Sequence, residues 1–174
     1  MPNEDIVWFD HAASPLGPLV LAADGEALCG IWFDGQRHKP PMGEEWQRRC
    51  DLPILQRAAR ELGEYFVGER REFEVTLAAS GTPFQRAVWS AIARVPYGET
   101  ISYCELAARA GQPRAIRAAG AATGRNPWSI VVPCHRIVGA NGMLTGYAGG
   151  LDRKRALLAL ECADRATAPI RRAA

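Results

Sequence analysis

The segment Asn126-Pro127-Trp128-Ser129-Ile130-Val131-Val132-Pro133-Cys134-His135-Arg136-Ile137 sets a cysteine directly before a histidine and an arginine. The attacking form of a cysteine is the thiolate, and an unperturbed thiol, with a pKa of about 8.5, needs a base or a positive field to reach it near neutrality. His135 and Arg136 supply both locally. Ile130–Val132 reads as a short buried strand ended by Pro133, which puts Cys134 at a strand exit on a rigid support. Neighbours in extended chain point to opposite sides, so Cys134 and His135 are expected to communicate through one water. The histidine then needs a partner on its other ring nitrogen to fix its tautomer. Only five acidic residues lie in 81–174, and Glu161, at the end of a helix read over 151–161, is the candidate. A buried structural cysteine beside a capping histidine accounts for the pair equally simply.

The elements that must hold these residues fall into two sets. Over 6–33, the runs Ile6-Val7-Trp8-Phe9, Pro18-Leu19-Val20-Leu21 and Cys29-Gly30-Ile31-Trp32-Phe33 read as strands punctuated by Ser14-Pro15-Leu16-Gly17 and Asp24-Gly25. Residues 34–42 form a loop. A helix follows over 52–67, with Leu55, Ala58, Ala59 and Leu62 at helical spacing, and Phe73–Leu77 alternates like a half-buried strand. Ala78-Ala79-Ser80-Gly81 reads as a linker, which divides the chain into domains 1–80 and 81–174. In the second, Thr82-Pro83-Phe84-Gln85 is a capping box with proline at the first helical position. Phe84, Ala87, Val88, Ala91 and Ile92 line one face before Val95-Pro96-Tyr97-Gly98 stops the helix. Ser102-Tyr103-Cys104-Glu105 is a second capping box. Gly111-Gln112-Pro113 turns the chain into a helix over 114–124, packed through Ala115, Ala118, Ala119 and Ala122. Two short helices joined by a glycine-containing turn are the layout of a helix-turn-helix. Arg114, Arg117 and Arg125 form a separate stripe, either a solvated face or the charged edge of a recognition helix with small side chains.

Charge favours the second reading. The formal net charge is only +2, but residues 1–80 carry 8 basic and 14 acidic side chains against 13 and 5 in residues 81–174. A polyanion would meet only the second part, so nucleic acid is the leading partner class. With 48% hydrophobic and 23% charged residues, the composition is that of an ordinary globular protein. No apolar run approaches the roughly 20 residues that span a bilayer. The acidic Met1–Asp5 start is unlike a signal peptide, and five cysteines without a CxxC pair argue against a disulfide framework. A cytoplasmic protein is expected.

Pro133-Cys134-His135-Arg136-Ile137 resembles the active-site signature of the methylated-DNA–protein-cysteine methyltransferases, the O6-alkylguanine-DNA alkyltransferases. The resemblance extends to Tyr97–Tyr103, the Arg114–Gly120 helix, Asn126-Pro127, Gly146-Tyr147-Ala148-Gly149-Gly150 and the final helix, covering residues 82–162 in detail. It implies an α+β or α/β protein, with a small ribonuclease H-like N-terminal domain of strands and a helix, and a mainly α C-terminal domain carrying the helix-turn-helix. It also implies direct-reversal DNA repair. Cys134 takes the alkyl group from guanine O6, or thymine O4, irreversibly and once per molecule, without cofactor. His135 acts as base through water, Glu161 orients it, and Tyr103 donates toward guanine N3. Asn126 ties the recognition helix to the active-site strand.

The same resemblance implies minor-groove binding through Ala115, Ala118, Gly120 and Ala121, with the target nucleotide flipped out. Arg117 enters the stack in its place, and Arg114 and Arg125 contact phosphates. Tyr103, Ile137, Tyr147, Ala148 and Trp128 line the pocket, where the backbone carbonyls of Cys134 and Ile137 face the guanine amine. The small Ala148 leaves room for adducts larger than methyl. Tyr103 packing on Phe84, Asn126 as a simple turn residue and Arg117 as a phosphate contact are the plainer readings. The expected partner is duplex DNA carrying alkylated guanine, met by a monomer, with cooperative assembly on DNA left open. His11, Cys29, His38 and Cys50 lack paired zinc-site spacing, so no metal is expected. Cys104 and Cys162 are read as small buried apolar residues. The rival class is a helix-turn-helix protein that recognises lesions or regulates transcription without repair.

Overall fold

The computed structural model describes residues 6–78 and 80–167. Its N-terminal half is a four-stranded sheet in the order β3-β2-β1-β4, made of β1 (Val7–Ala12), β2 (Leu19–Asp24), β3 (Ala27–Phe33) and β4 (Trp46–Arg48). β1, β2 and β3 are antiparallel neighbours, and β4, which the sequence did not reveal, runs parallel to β1. The central strand β2 is covered on both faces. Leu19, Leu21 and Ala23 pack with Leu55, Ala58, Leu62 and Tyr65 of α1 (Pro53–Phe66). On the other face Trp32 and Trp46 stack, with ring centroids 6.1 Å apart. The Trp32 ring lies across Gly30, where any Cβ would collide with it.

The C-terminal half holds α2 (Pro83–Ala93), β5 (Ile101–Ser102), α3 (Tyr103–Arg109), α4 (Ile116–Gly124), β6 (Ile137–Val138) and α5 (Leu151–Thr167). The Thr82–Gln85 capping box is complete. The second is half formed: Ser102 accepts from the Glu105 amide, but the Glu105 carboxylate pairs with Arg109. α3 and α4 form the helix-turn-helix, and Trp89 of α2 anchors α4 through an indole N–H donated to Ala122 O at 2.8 Å. Ala119, Ala122 and Thr123 are buried, whereas Ala118 is exposed and Ala115 is the N-cap residue. α4 therefore starts two residues later than expected and packs through a narrower stripe.

Two predicted strands are absent. Residues 73–77 meet the sheet only at Leu77, bridged to Leu28. Further along the same edge of β3, Ile31 donates to Pro127 O at 2.8 Å and accepts from the Ser129 amide at 3.0 Å, so the hydrogen-bonding edge is already occupied. Ile130–Val132 is a turn, not a strand: Val131 N bonds back to Ser129 O, and Ile130 takes φ +72°. The segment is apolar because the core surrounds it.

Trp128 joins the halves, stacking edge-on against Trp89 and donating its indole N–H to Leu28 O at 2.8 Å. Trp128→Phe removes that donor, while Leu28 O keeps its bond from the Ala78 amide at 2.9 Å. Urea unfolding is expected to show a loss of about 0.5–1.5 kcal/mol for the hydrogen bond; an unchanged midpoint would show that the bond contributes nothing to joining the halves.

Candidate active site

Cys134 opens a single 3-10 turn, Cys134–Arg136, instead of leaving a strand. The turn is held by Asn126, which is 3% exposed. Its amide donates to Val132 O at 2.8 Å, Trp128 O at 3.3 Å and Cys134 Sγ at 3.2 Å, while its carbonyl accepts from the Trp128 amide at 3.0 Å. This is the tie between α4 and the cysteine that the resemblance implied, made to a turn. Burial pushes the Cys134 thiol up, and the Asn126 hydrogen bond and the charge of Lys154 oppose it. The free protein thus holds Cys134 as a thiol.

Successive side chains of a 3-10 turn diverge by roughly 120°, and His135 turns away from the sulfur into the interior. Its Nε2 lies 2.7 Å from Glu161 Oε1, and its Nδ1 has no hydrogen-bond partner among the described residues. Burial lowers the His135 pKa and the Glu161 hydrogen bond opposes it, leaving a neutral ring. Facing a carboxylate, Nε2 carries the proton and Nδ1 keeps its lone pair.

Glu161 is fully buried and does not end its helix, which continues to Thr167. Oε1 accepts from Tyr65 Oη at 2.7 Å and Arg136 Nη2 at 3.0 Å, besides His135; Oε2 accepts from Arg136 Nε at 2.9 Å and the Gly98 amide at 3.1 Å. Burial raises its pKa, but His135 and Arg136 together bring it down to about 2. Arg136, expected to polarise the cysteine, is neutralised here instead.

The cation nearest in effect to Cys134 is one that sequence reasoning missed. Lys154 is 0% exposed and donates to Ile137 O at 2.5 Å, Thr145 O at 3.1 Å and Gly146 O at 3.3 Å; burial lowers its pKa to about 8. Lys154, Leu157 and Glu161 recur at i, i+3, i+7, so a lysine on the apolar stripe of α5 was the available signal. Ile137 is buried with its carbonyl engaged by Lys154, and it lies outside the cavity.

The sulfur opens into a cavity of about 350 Å³. α4 provides Gly120 and Ala121 to its wall, Arg125 follows, and Tyr103, Tyr147 and Ala148 close it. Tyr103 is kept a neutral phenol by burial, and its hydroxyl donates to Thr145 O at 3.2 Å. Trp128 is not part of this wall. Arg114, Arg117 and Arg125 are exposed around α4. Arg37 and His38, from the loop after β3, complete the lining and were also missed. Cys104 and Cys162 are exposed, not buried. Among the described residues, no group of three or more His, Cys, Asp or Glu is placed to hold a metal, and no helix is long and apolar enough to cross a membrane.

A buried cysteine beside a helix-turn-helix, with a His–Glu pair behind it and a small sheet domain at its back, defines a class shared with known proteins. Residues 9–79 match the 6-O-methylguanine DNA methyltransferase ribonuclease-like domain, and residues 83–163 match the DNA binding domain of the same methyltransferase. The methylated-DNA–protein-cysteine methyltransferase of Methanosarcina acetivorans is 48% identical over 148 residues, 85% of this chain and 94% of that protein. That of Haemophilus influenzae is 41% identical over 156 residues, 89% and 86%. Mycobacterium tuberculosis OGT, solved in complex with DNA, superposes with a TM-score of 0.84 at 44% identity, covering 90% of this chain and 94% of that one. This chain belongs to the methylated-DNA–protein-cysteine methyltransferase family.

The Glu161 hub predicts an acid dependence. Its folded pKa, about 2, lies below the reference value of 4.5. Its stabilisation is therefore complete above about pH 4.5 and is lost as the pH falls toward 2, a swing of about 3 kcal/mol. Urea unfolding at pH 7 and pH 3 should show about 2 kcal/mol of this loss, and Glu161→Gln should be less stable at pH 7 with a flatter profile. An unchanged profile in that variant would assign the acid sensitivity elsewhere.

Proposed function

We propose that this chain repairs alkylated duplex DNA by moving the alkyl group from guanine O6, or thymine O4, to Cys134. The observation that carries this reading is the placement of Cys134 Sγ in a cavity walled by α4, with the His135–Glu161 pair already oriented behind it. The thiol proton passes through a water to the free lone pair of His135 Nδ1, and Glu161 stabilises the imidazolium that forms. Sulfur attacks the alkyl carbon, the S–C bond forms, and the C–O6 bond breaks with its electron pair leaving on guanine. Tyr103 Oη exchanges its bond to Thr145 O for one to guanine N3 and donates to the departing base, as the resemblance implied. A hydrogen bond placed on a leaving group contributes a few kcal/mol.

O6 lies inside the stack, so the nucleotide must be extruded, which costs a few kcal/mol and less for a damaged pair. The small residues of α4 let its backbone approach a minor groove, Arg117 fills the gap left by the base, and Arg114 and Arg125 contact phosphates. The thioether is stable and Cys134 is the one thiol among the described residues of the cavity wall, so each monomer reacts once. The alternative of lesion recognition without repair leaves a cysteine at the cavity wall unused.

Intact mass after incubation with excess alkylated duplex should show one alkyl group per chain, mapped to Cys134. Sustained turnover, or a bare residue 134, would contradict the mechanism. Cys134→Ser should abolish transfer while DNA binding persists. Tyr103→Phe should slow transfer by about 100- to 1,000-fold, in line with the loss of one leaving-group hydrogen bond. The small Ala148 side chain predicts benzyl transfer within about tenfold of methyl transfer, less than the penalty a tight pocket imposes. A strong block on benzyl would show that other walls set the limit.

A further inference from the structure

Most arginines of this molecule are engaged: Arg57, Arg70, Arg109 and Arg136 pair with carboxylates, and Arg86 and Arg153 donate to backbone carbonyls. Four have no ion pair, side-chain hydrogen bond or ring contact among the described residues. Three are Arg114, Arg117 and Arg125 on and beside α4. The fourth is Arg37, in the acidic half of the chain.

The position of Arg37 is not that of an ordinary solvated side chain. The first 47 residues hold eight acidic residues and only two of the Lys/Arg type, Arg37 and Lys39. Arg37 lines the same cavity as Cys134, and so does Arg125 from the other half of the chain. Its backbone is fixed: the amide donates to Ala148 O at 3.1 Å, and the preceding Gln36, buried, accepts from the Phe33 amide at 3.1 Å and Ser129 Oγ at 2.9 Å. An exposed guanidinium on a pinned backbone, without a counter-charge, is available to an anion brought by the substrate.

We propose that Arg37 binds a backbone phosphate of the extruded nucleotide, across the cavity mouth from Arg125. This rests on the alkyl-transfer reading above. A nucleotide whose base enters the cavity leaves its flanking phosphates at the rim, where these two arginines stand. The N-terminal domain then takes part directly in substrate binding, through an arginine of the acidic half placed where DNA is held.

The test compares two substrates, an O6-benzylguanine duplex and the free base O6-benzylguanine, which has no phosphate. Arg37→Gln should slow transfer from the duplex by about tenfold and make the log–log salt dependence shallower by about one. Transfer from the free base should fall less than about twofold. Arg37→Lys should recover most of the duplex rate. Equal losses on both substrates, or no loss on the duplex, would overturn the proposal. If neither substrate labels Cys134 in the unaltered protein, the alkyl-transfer reading itself fails.

Discussion

A single buried carboxylate organises this site. Glu161 accepts five hydrogen bonds, from α1 through Tyr65, from the loop after α2 through the Gly98 amide, and from His135 and Arg136 of the 3-10 turn. A carboxylate taken out of water costs several kcal/mol unless its lone pairs are met and its charge is matched. Here both conditions hold, because Arg136 supplies the charge and the other donors fill the remaining positions. The consequence for chemistry is the proton inventory of His135: with Nε2–H committed to Glu161, Nδ1 is left as an acceptor.

The second support comes from the sheet. β3 is an edge strand, and an open edge is a row of unpaired backbone groups. Residues 76–78 cover its beginning and residues 127–129 its end, so the segment leading to Cys134 is hydrogen-bonded to the N-terminal domain as though it were a fragment of a further strand. Trp128 reinforces this with its indole bond to Leu28, and the Gln36–Ser129 bond adds a side-chain tie. The ribonuclease-like domain is therefore the bench on which the reactive turn is mounted. Asn126 completes the mounting from the helical side.

What could be read in the chain was what local rules govern. The helix over 53–66, the Thr82 capping box and the helix-turn-helix follow from periodicity and from side chains that satisfy nearby amides. Cys134, His135, Glu161, Asn126 and Tyr103 were singled out by residue type and motif, and the fold brings them together around the cavity. The errors share a cause, since each depends on contacts distant in sequence. Ile130–Val132 is apolar like a strand but has no ladder partner, because the available edge is used by residues 127–129. Arg136 sits beside Cys134 in sequence yet answers to Glu161 in space. Trp128 has the composition of a pocket wall and serves the inter-domain seam. Lys154 went unread because a lysine is normally solvent-facing, and only the fold reveals the three carbonyls that receive it.

The burial of Cys134 also bears on how long the protein stays competent before it meets a lesion. Peroxides and other oxidants attack thiolates that solvent can reach, and the exposed Cys50, Cys104 and Cys162 are open to them. Cys134 is 5% exposed and held in its protonated form. A sulfur kept buried and protonated in this way is slow to form sulfenic acid, and the transfer proposed for it waits on a group that enters the cavity.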